Sequence, residues 1–112
     1  MPNVRMSRIN AEIQKHVAGI IDKKLSHPNL SGVLITVLHV DTTPDMLQCT
    51  ISVSVYGGDD KVVLDTLNAA KSYVRFELGK QMRLRTVPEL KFVLDTTYQY
   101  SQHMNDLFES IR

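Results

Sequence analysis

An α+β fold follows from three observations in this sequence. Residues 6–25 repeat apolar side chains at steps of three and four, the period of a helix. Residues 47–55 alternate apolar and polar side chains, the period of a strand with one dry face. The helical period returns over 60–80, and a second short alternation closes the pattern at 90–95.

The first helix is written by Met6, Ile9, Ile13, Val17, Ile20, Ile21 and Leu25, with Arg5, Arg8, Glu12, Lys15, Asp22 and Lys23 mainly on its other faces. Pro28, beside Asn29, Ser31 and Gly32, ends it in a loop. Residues Val33–Val40 are rich in β-branched side chains and read as a strand, but both faces are apolar and periodicity does not choose between them. Asp41–Asp45 reads as a turn, because Pro44 presets φ and the flanking Asp and Thr side chains can bond local backbone. In the second strand Leu47, Cys49, Ile51, Val53 and Val55 form the dry face, opposite Gln48, Thr50, Ser52 and Ser54. Gly57-Gly58 makes a turn, and Asp59 and Asp60 suit the N-cap of the next helix better than paired acid–base chemistry.

Val63, Leu67, Ala70, Val74 and Leu78 then share one stripe, so periodicity alone predicts a single helix over residues 60–80. Gly79 either ends that helix or weakens it. Pro88 opens a third strand, where a missing N–H is tolerated, with Leu90, Phe92 and Leu94 inward and Lys91, Val93 and Asp95 outward. Thr96 and Thr97 can cap a final helix whose stripe is Tyr100, Met104, Leu107, Phe108 and Ile111.

The totals bound the function. A chain of 112 residues, 43% hydrophobic and 22% charged, is one domain of ordinary soluble composition. Its single cysteine, Cys49, excludes an intramolecular disulfide and fits a reducing compartment. Cys49 falls on the dry face and reads as a small buried hydrophobe rather than a nucleophile. No export signal is evident, and the longest charge-free run, Leu25–Val40, is broken by Pro28 and falls short of the ~20 residues of a membrane span. A cytoplasmic location is expected. His16, His27, His39 and His103 have no metal-ligand spacing, so structural or solvent roles are expected and no metal or other cofactor is implied.

Net charge is only +1, yet it is segregated. Residues 71–85 hold five cations, Lys71, Arg75, Lys80, Arg83 and Arg85, against one acid, Glu77. Such a segment, with no catalytic cluster in the sequence, points to a phosphate backbone as partner; a solvated helix face is the plain alternative. Arg5, Arg8, Lys23 and Lys24 are secondary candidates for the same role, and equally serve solubility or, for the lysines, a helix C-terminus. Tyr56, Tyr73, Phe76, Tyr98 and Tyr100 could stack on bases, with core packing expected for most and Tyr98 and Tyr100 the better candidates.

The run Leu78-Gly79-Lys80-Gln81-Met82-Arg83-Leu84-Arg85-Thr86-Val87-Pro88-Glu89-Leu90-Lys91-Phe92, with Asp95, resembles the ribosome-binding factor A family. Glu12-Ile13-Gln14-Lys15, the Pro28/Leu30 loop and the hairpin from Ile35-Thr36-Val37 to Val53-Ser54-Val55 support it. The resemblance implies a type II KH fold in αββααβ order, three strands with helices packed on one face. It also implies a kink in the long helix, at an Ala-x-Gly motif matched here by Ala70-Lys71-Ser72, with Ser72 in place of the glycine. A serine can bend a helix by bonding back to a carbonyl one turn earlier. Residues 1–97 would form the KH-like RNA-binding domain and 98–112 a helical tail.

By that resemblance the protein is a non-catalytic, monomeric assembly factor. It would bind the maturing small (30S) ribosomal subunit and its 16S rRNA, assist late maturation and 5′-end processing, and serve growth in the cold. No membrane and no small-molecule substrate enter this reading. Ala70 and Ser72 would bring backbone to the RNA, and Lys71, Arg75, Lys80, Arg83 and Arg85 would hold phosphates. Two other classes compete: a protein-interaction module docking through Tyr100–Ile111, and a metal-dependent hydrolase.

Overall fold

The computed structural model describes residues 4–95 of the chain. The expected final helix, with Thr96, Thr97, Tyr98, Tyr100 and His103, lies outside the described residues. The elements are α1 (Val4–Lys23), a 3-10 turn (Pro28–Leu30), β1 (Leu34–Thr42), β2 (Gln48–Tyr56), α2 (Asp60–Ala69), α3 (Lys71–Met82) and β3 (Glu89–Leu94).

The sheet runs β1-β2-β3, with β1 antiparallel and β3 parallel to the central strand. Parallel neighbours need a long crossover, and α2–α3 supplies it. All the helices cover one face. Val37, Val40, Cys49, Ile51, Val53, Leu90 and Phe92 meet Ile13, Val17, Ile20, Val63, Leu67, Val74 and Leu78 in one buried cluster. Thr50, Ser52, Ser54 and Lys91 lie on the other face, as the alternation predicts. This is the α+β architecture of a type II KH domain.

The α1 stripe holds its expected form: Ile13, Val17 and Ile20 are fully buried and Ile21 nearly so. Each such side chain contributes about 1.5–3 kcal/mol by leaving water. Cys49 is buried near the start of the central strand, and burial pushes its thiol pKa up, which keeps it neutral and unreactive.

Three expectations need correction, the first, third and fourth below, and one open reading is resolved. First, β1 extends to Thr42, because Thr42 pairs with Cys49 and the Thr43 N–H still donates to the Gln48 carbonyl. The turn therefore starts at Thr43, where Asp45 accepts from the Thr43 hydroxyl (2.6 Å) and the Leu47 N–H (3.0 Å). Those two bonds hold the Asp45 carboxyl below its usual range. Second, the two-faced pattern of β1 comes from a bulge between Val37 and His39. Inward positions fall on odd numbers up to Val37 and on even numbers from Val40, so neither face reads as dry throughout. Third, Leu47 sits in the hairpin loop and is 58% exposed rather than part of the dry face.

Fourth, the long helix is two helices. Ala70 stands between them at φ −95°, ψ 5°, its N–H shared between the Thr66 and Leu67 carbonyls at 3.1 Å each. The resemblance implied this break where periodicity did not. It falls at Ala70, the first residue of the matched motif, and among the described residues no hydrogen bond from the Ser72 hydroxyl takes part. Two side-chain clamps tie the halves down, one to β3 and one to the segment that leads into it. The Asn68 amide accepts from the Phe92 N–H (2.9 Å) and donates to the Phe92 carbonyl (3.0 Å), covering the open edge of the sheet. Arg75 donates from Nε (3.2 Å) and Nη2 (2.8 Å) to the Val87 carbonyl. Gly79, for its part, does not end α3. It lies inside the helix because Val87 packs there: a Cβ would come within 2.9 Å of the Val87 Cγ2.

Candidate nucleic-acid interface

The two helix starts in the crossover differ in chemistry. The Asp59 carboxylate caps α2, accepting from the Val62 N–H at 3.0 Å, and Asp60 adds a second acid to that turn. At α3 no side chain caps the first turn, which carries Lys71 and no acid. Lys71, Ser72 and Tyr73 are all exposed. The N–H groups of this turn and the positive end of the helix dipole therefore face outward beside a cation, an arrangement that favours an anion.

The five-cation segment is distributed around this helix rather than along one line. Lys71 and Arg75 lie four apart, on a shared face, and border a small cleft with Ser72, Glu89 and Leu90. Arg75 has its Nε and one Nη committed to Val87, which fixes the guanidinium and leaves its other Nη for a ligand. Lys80 stands 3.7 Å from the Glu77 carboxylate and 5.2 Å from the centre of the Phe76 ring. Arg83 closes α3 in the left-handed conformation, φ 53°. Arg85 lies on the far side of Leu84, in a second cleft that it lines with Arg5, Met6, Ile9 and Asp45. Leu84 lines that cleft and the groove along α3, so residues 83–87 form the ridge between them.

The secondary candidates separate in the same way. Arg5 joins Arg85 at the start of α1. Arg8 is exposed on α1. Lys23 and Lys24 are at the other end of α1, about 27 Å from Arg5 at 1.5 Å per residue, and they do not share its cleft. His16 bonds Gln81 at 2.8 Å, tying α1 to α3, and His27 caps the 3-10 turn by accepting from the Asn29 N–H. Among the described residues no group of three or more His, Cys, Asp or Glu side chains could hold a metal ion, and no helix is long and apolar enough to cross a membrane.

Two features escape the sequence reading. Arg75 anchors the chain as well as offering charge, and nothing local announces a bond twelve residues along. Phe76 and Tyr73, expected mostly in the core, are 63% and 41% exposed, and Tyr56 is 78% exposed. For Phe76 the signal exists: it lies two positions from Val74 and so off the buried Val74–Leu78 stripe.

A family model for ribosome-binding factor A matches residues 5–108. The chain belongs to the ribosome-binding factor A family. The ribosome-binding factor A of Clostridium kluyveri (strain NBRC 12016) is 36% identical over 100% of this chain and 93% of its own length. That of Geobacter sp. (strain M21) is 35% identical over 96% of this chain and 90% of its own. Among solved structures, the crystal structure of ribosome-binding factor A from Thermus thermophilus shares the fold, with a TM-score of 0.72 at 24% identity over 80% of this chain and 93% of that one. A homology model of the Thermus thermophilus ribosome-binding factor A, fitted into a cryo-EM map of a 30S complex with that factor, gives 0.64 at 25% identity, over 75% of this chain and 88% of that one.

Proposed function

We propose that this chain is a non-catalytic, monomeric assembly factor that binds the maturing small ribosomal subunit through its 16S rRNA. In this reading it assists late maturation and 5′-end processing of that rRNA, including in the cold. Residues 1–97 act as the RNA-binding domain and 98–112 as an appended tail. The observation that carries the reading is the uncapped, cation-bordered start of α3, in a chain whose family includes a factor fitted into a 30S complex. Lys71, Arg75, Lys80, Arg83 and Arg85 hold phosphates, and backbone from Ala70 to Ser72 approaches them. Arg5 makes a further contact beside Arg85, and Arg8 another from the exposed face of α1. Contacts of this kind position a protein on RNA and read little sequence.

The test is co-sedimentation with purified small and large subunits, comparing the intact chain with a Lys71→Glu, Arg85→Glu double variant. Lys71 and Arg85 are suited to it because neither makes a hydrogen bond or ion pair among the described residues, whereas reversing Arg75 would also release Val87. A glutamate in the first turn of α3 suits the helix dipole, so melting should be unchanged. The expected result is selective loss from the small subunit. On a single-stranded RNA, five phosphate contacts give a log–log salt slope of about −3.5. Equal pelleting of variant and parent, or a flat salt response, overturns the reading.

A further inference from the structure

The proposed RNA site leaves one conspicuous group unused. Phe76 points its ring into an open groove of about 580 Å³ floored by Gly79, Leu84 and Val87 and flanked by Arg75 and Lys80. The ring is 63% exposed, so most of its apolar surface forgoes burial in the core. Glycine at 79 keeps the floor low: any side chain there would strike Val87. Lys80 stands over the ring at 5.2 Å, a cation–π distance.

We propose that Phe76 is a stacking platform for one unpaired nucleobase of a single-stranded RNA whose adjoining phosphate sits on the first turn of α3. The proposal rests on the RNA-binding reading above and names the form of RNA it takes. Three observations select this occupant. Ser72 and Phe76 are four residues apart, hence on one helix face and about 6 Å apart along the axis. That is the span of one extended nucleotide, so phosphate and base can be held together. The groove carries Arg75 and Lys80 and no acid, and Arg75 is shared with the adjoining cleft, where Lys71 and Glu89 lie. The one acid of α3, Glu77, is buried and faces Lys80, so no outward carboxylate of that helix repels a polyanion. An aromatic ring among cations accepts any base by its π-face, and a base paired inside a duplex cannot reach it.

The experiment measures binding of the full chain to a short single-stranded RNA and to a duplex of matched length, and its co-sedimentation with small subunits. It uses Phe76→Ala, Phe76→Trp and Lys71→Glu. Phe76→Ala should weaken single-strand binding about tenfold. It should leave duplex binding, the salt slope and the melting temperature unchanged. The chain has no tryptophan, so Phe76→Trp gives a single fluorophore whose emission should be quenched by the single strand and not by the duplex. If Phe76→Ala binds the single strand like the parent while Lys71→Glu is weakened, stacking is wrong and the phosphate reading stands. If no variant changes any RNA or subunit binding, both fall. If Phe76→Ala loses the subunit but keeps its affinity for naked RNA, the groove takes a ribosomal protein and the stacking proposal is overturned.

Discussion

Two helices of this molecule, α1 and α3, obey different rules. Along α1 beyond the exposed Val4, the large apolar residues turn inward and the charged residues outward: Ile13, Val17, Ile20 and Ile21 are buried, and Arg8, Glu12, Lys15, Asp22 and Lys23 are exposed. Along α3 the pattern is partly inverted, with Glu77 buried and Tyr73 and Phe76 exposed. A helix placed only to close a core has no reason to carry that inversion. The buried stripe of α1 is accounted for by its own domain, whereas on the proposal above the outer face of α3 is shaped by its RNA ligand. Changes in the buried stripe of α1 should therefore act on stability alone, and changes on the outer face of α3 on binding alone.

The largest expected effect is on the α1 side. Ile20 is fully buried among both helices and the sheet, so Ile20→Ala should cost about 2–5 kcal/mol, read by chemical denaturation. Under conditions where the variant remains folded, its affinity for single-stranded RNA should equal that of the parent. A variant that keeps its stability and loses RNA would reverse the roles assigned to the two helices.

The difference between the helices also decides what the sequence could tell. The faces of α1 and β2 are spelled locally, one residue class per face, and both were legible apart from Leu47, which falls in the loop before β2. β1 was legible as a strand but not in orientation, since the bulge at Leu38 moves its inward residues from odd to even positions. The division of the crossover at Ala70 left no trace in the periodicity, because the buried stripe Val63, Leu67, Val74, Leu78 continues through it in step. What fixes the two halves is long-range: Asn68 on Phe92, twenty-four residues away, and Arg75 on Val87. The cation cluster was visible as composition. Its partition between the α3 groove and the Arg5–Arg85 cleft depends on the path of residues 83–87, which a local window does not contain.

Asn68 tests whether the crossover is as structural as its bonds to β3 imply. Asn68→Ala leaves the Phe92 N–H and carbonyl without partners beside the half-buried end of α2, an expected cost of about 1–3 kcal/mol. For a domain of this size each kcal/mol lowers the melting temperature by about 4–8 °C. Hydrogen exchange at the Phe92 amide should accelerate by more than at Ile51 in the central strand. If the Phe92 amide remains as protected as that of Ile51, the side-chain clamp is not what closes the β3 edge.

The smallest effect sharpens the comparison most, because its two readouts move in opposite directions. Arg83 ends α3 at φ 53°, a conformation that costs a side-chain-bearing residue about 1 kcal/mol and costs glycine little. Part of the gain from Arg83→Gly is lost to the greater freedom of glycine in the unfolded chain. A further part goes with the favourable position of a cation at a helix C-terminus. A net stabilisation of about 0.5 kcal/mol remains, a rise of roughly 2–4 °C in melting temperature. Removing the guanidinium should at the same time weaken RNA binding and reduce the log–log salt slope by about 0.7, one phosphate contact on a single strand. An arginine that occupies a strained helix end only to keep the chain soluble would give the stabilisation with no change in slope. Gain and loss together would mean that residue 83 is held by what it binds, against what the fold alone prefers.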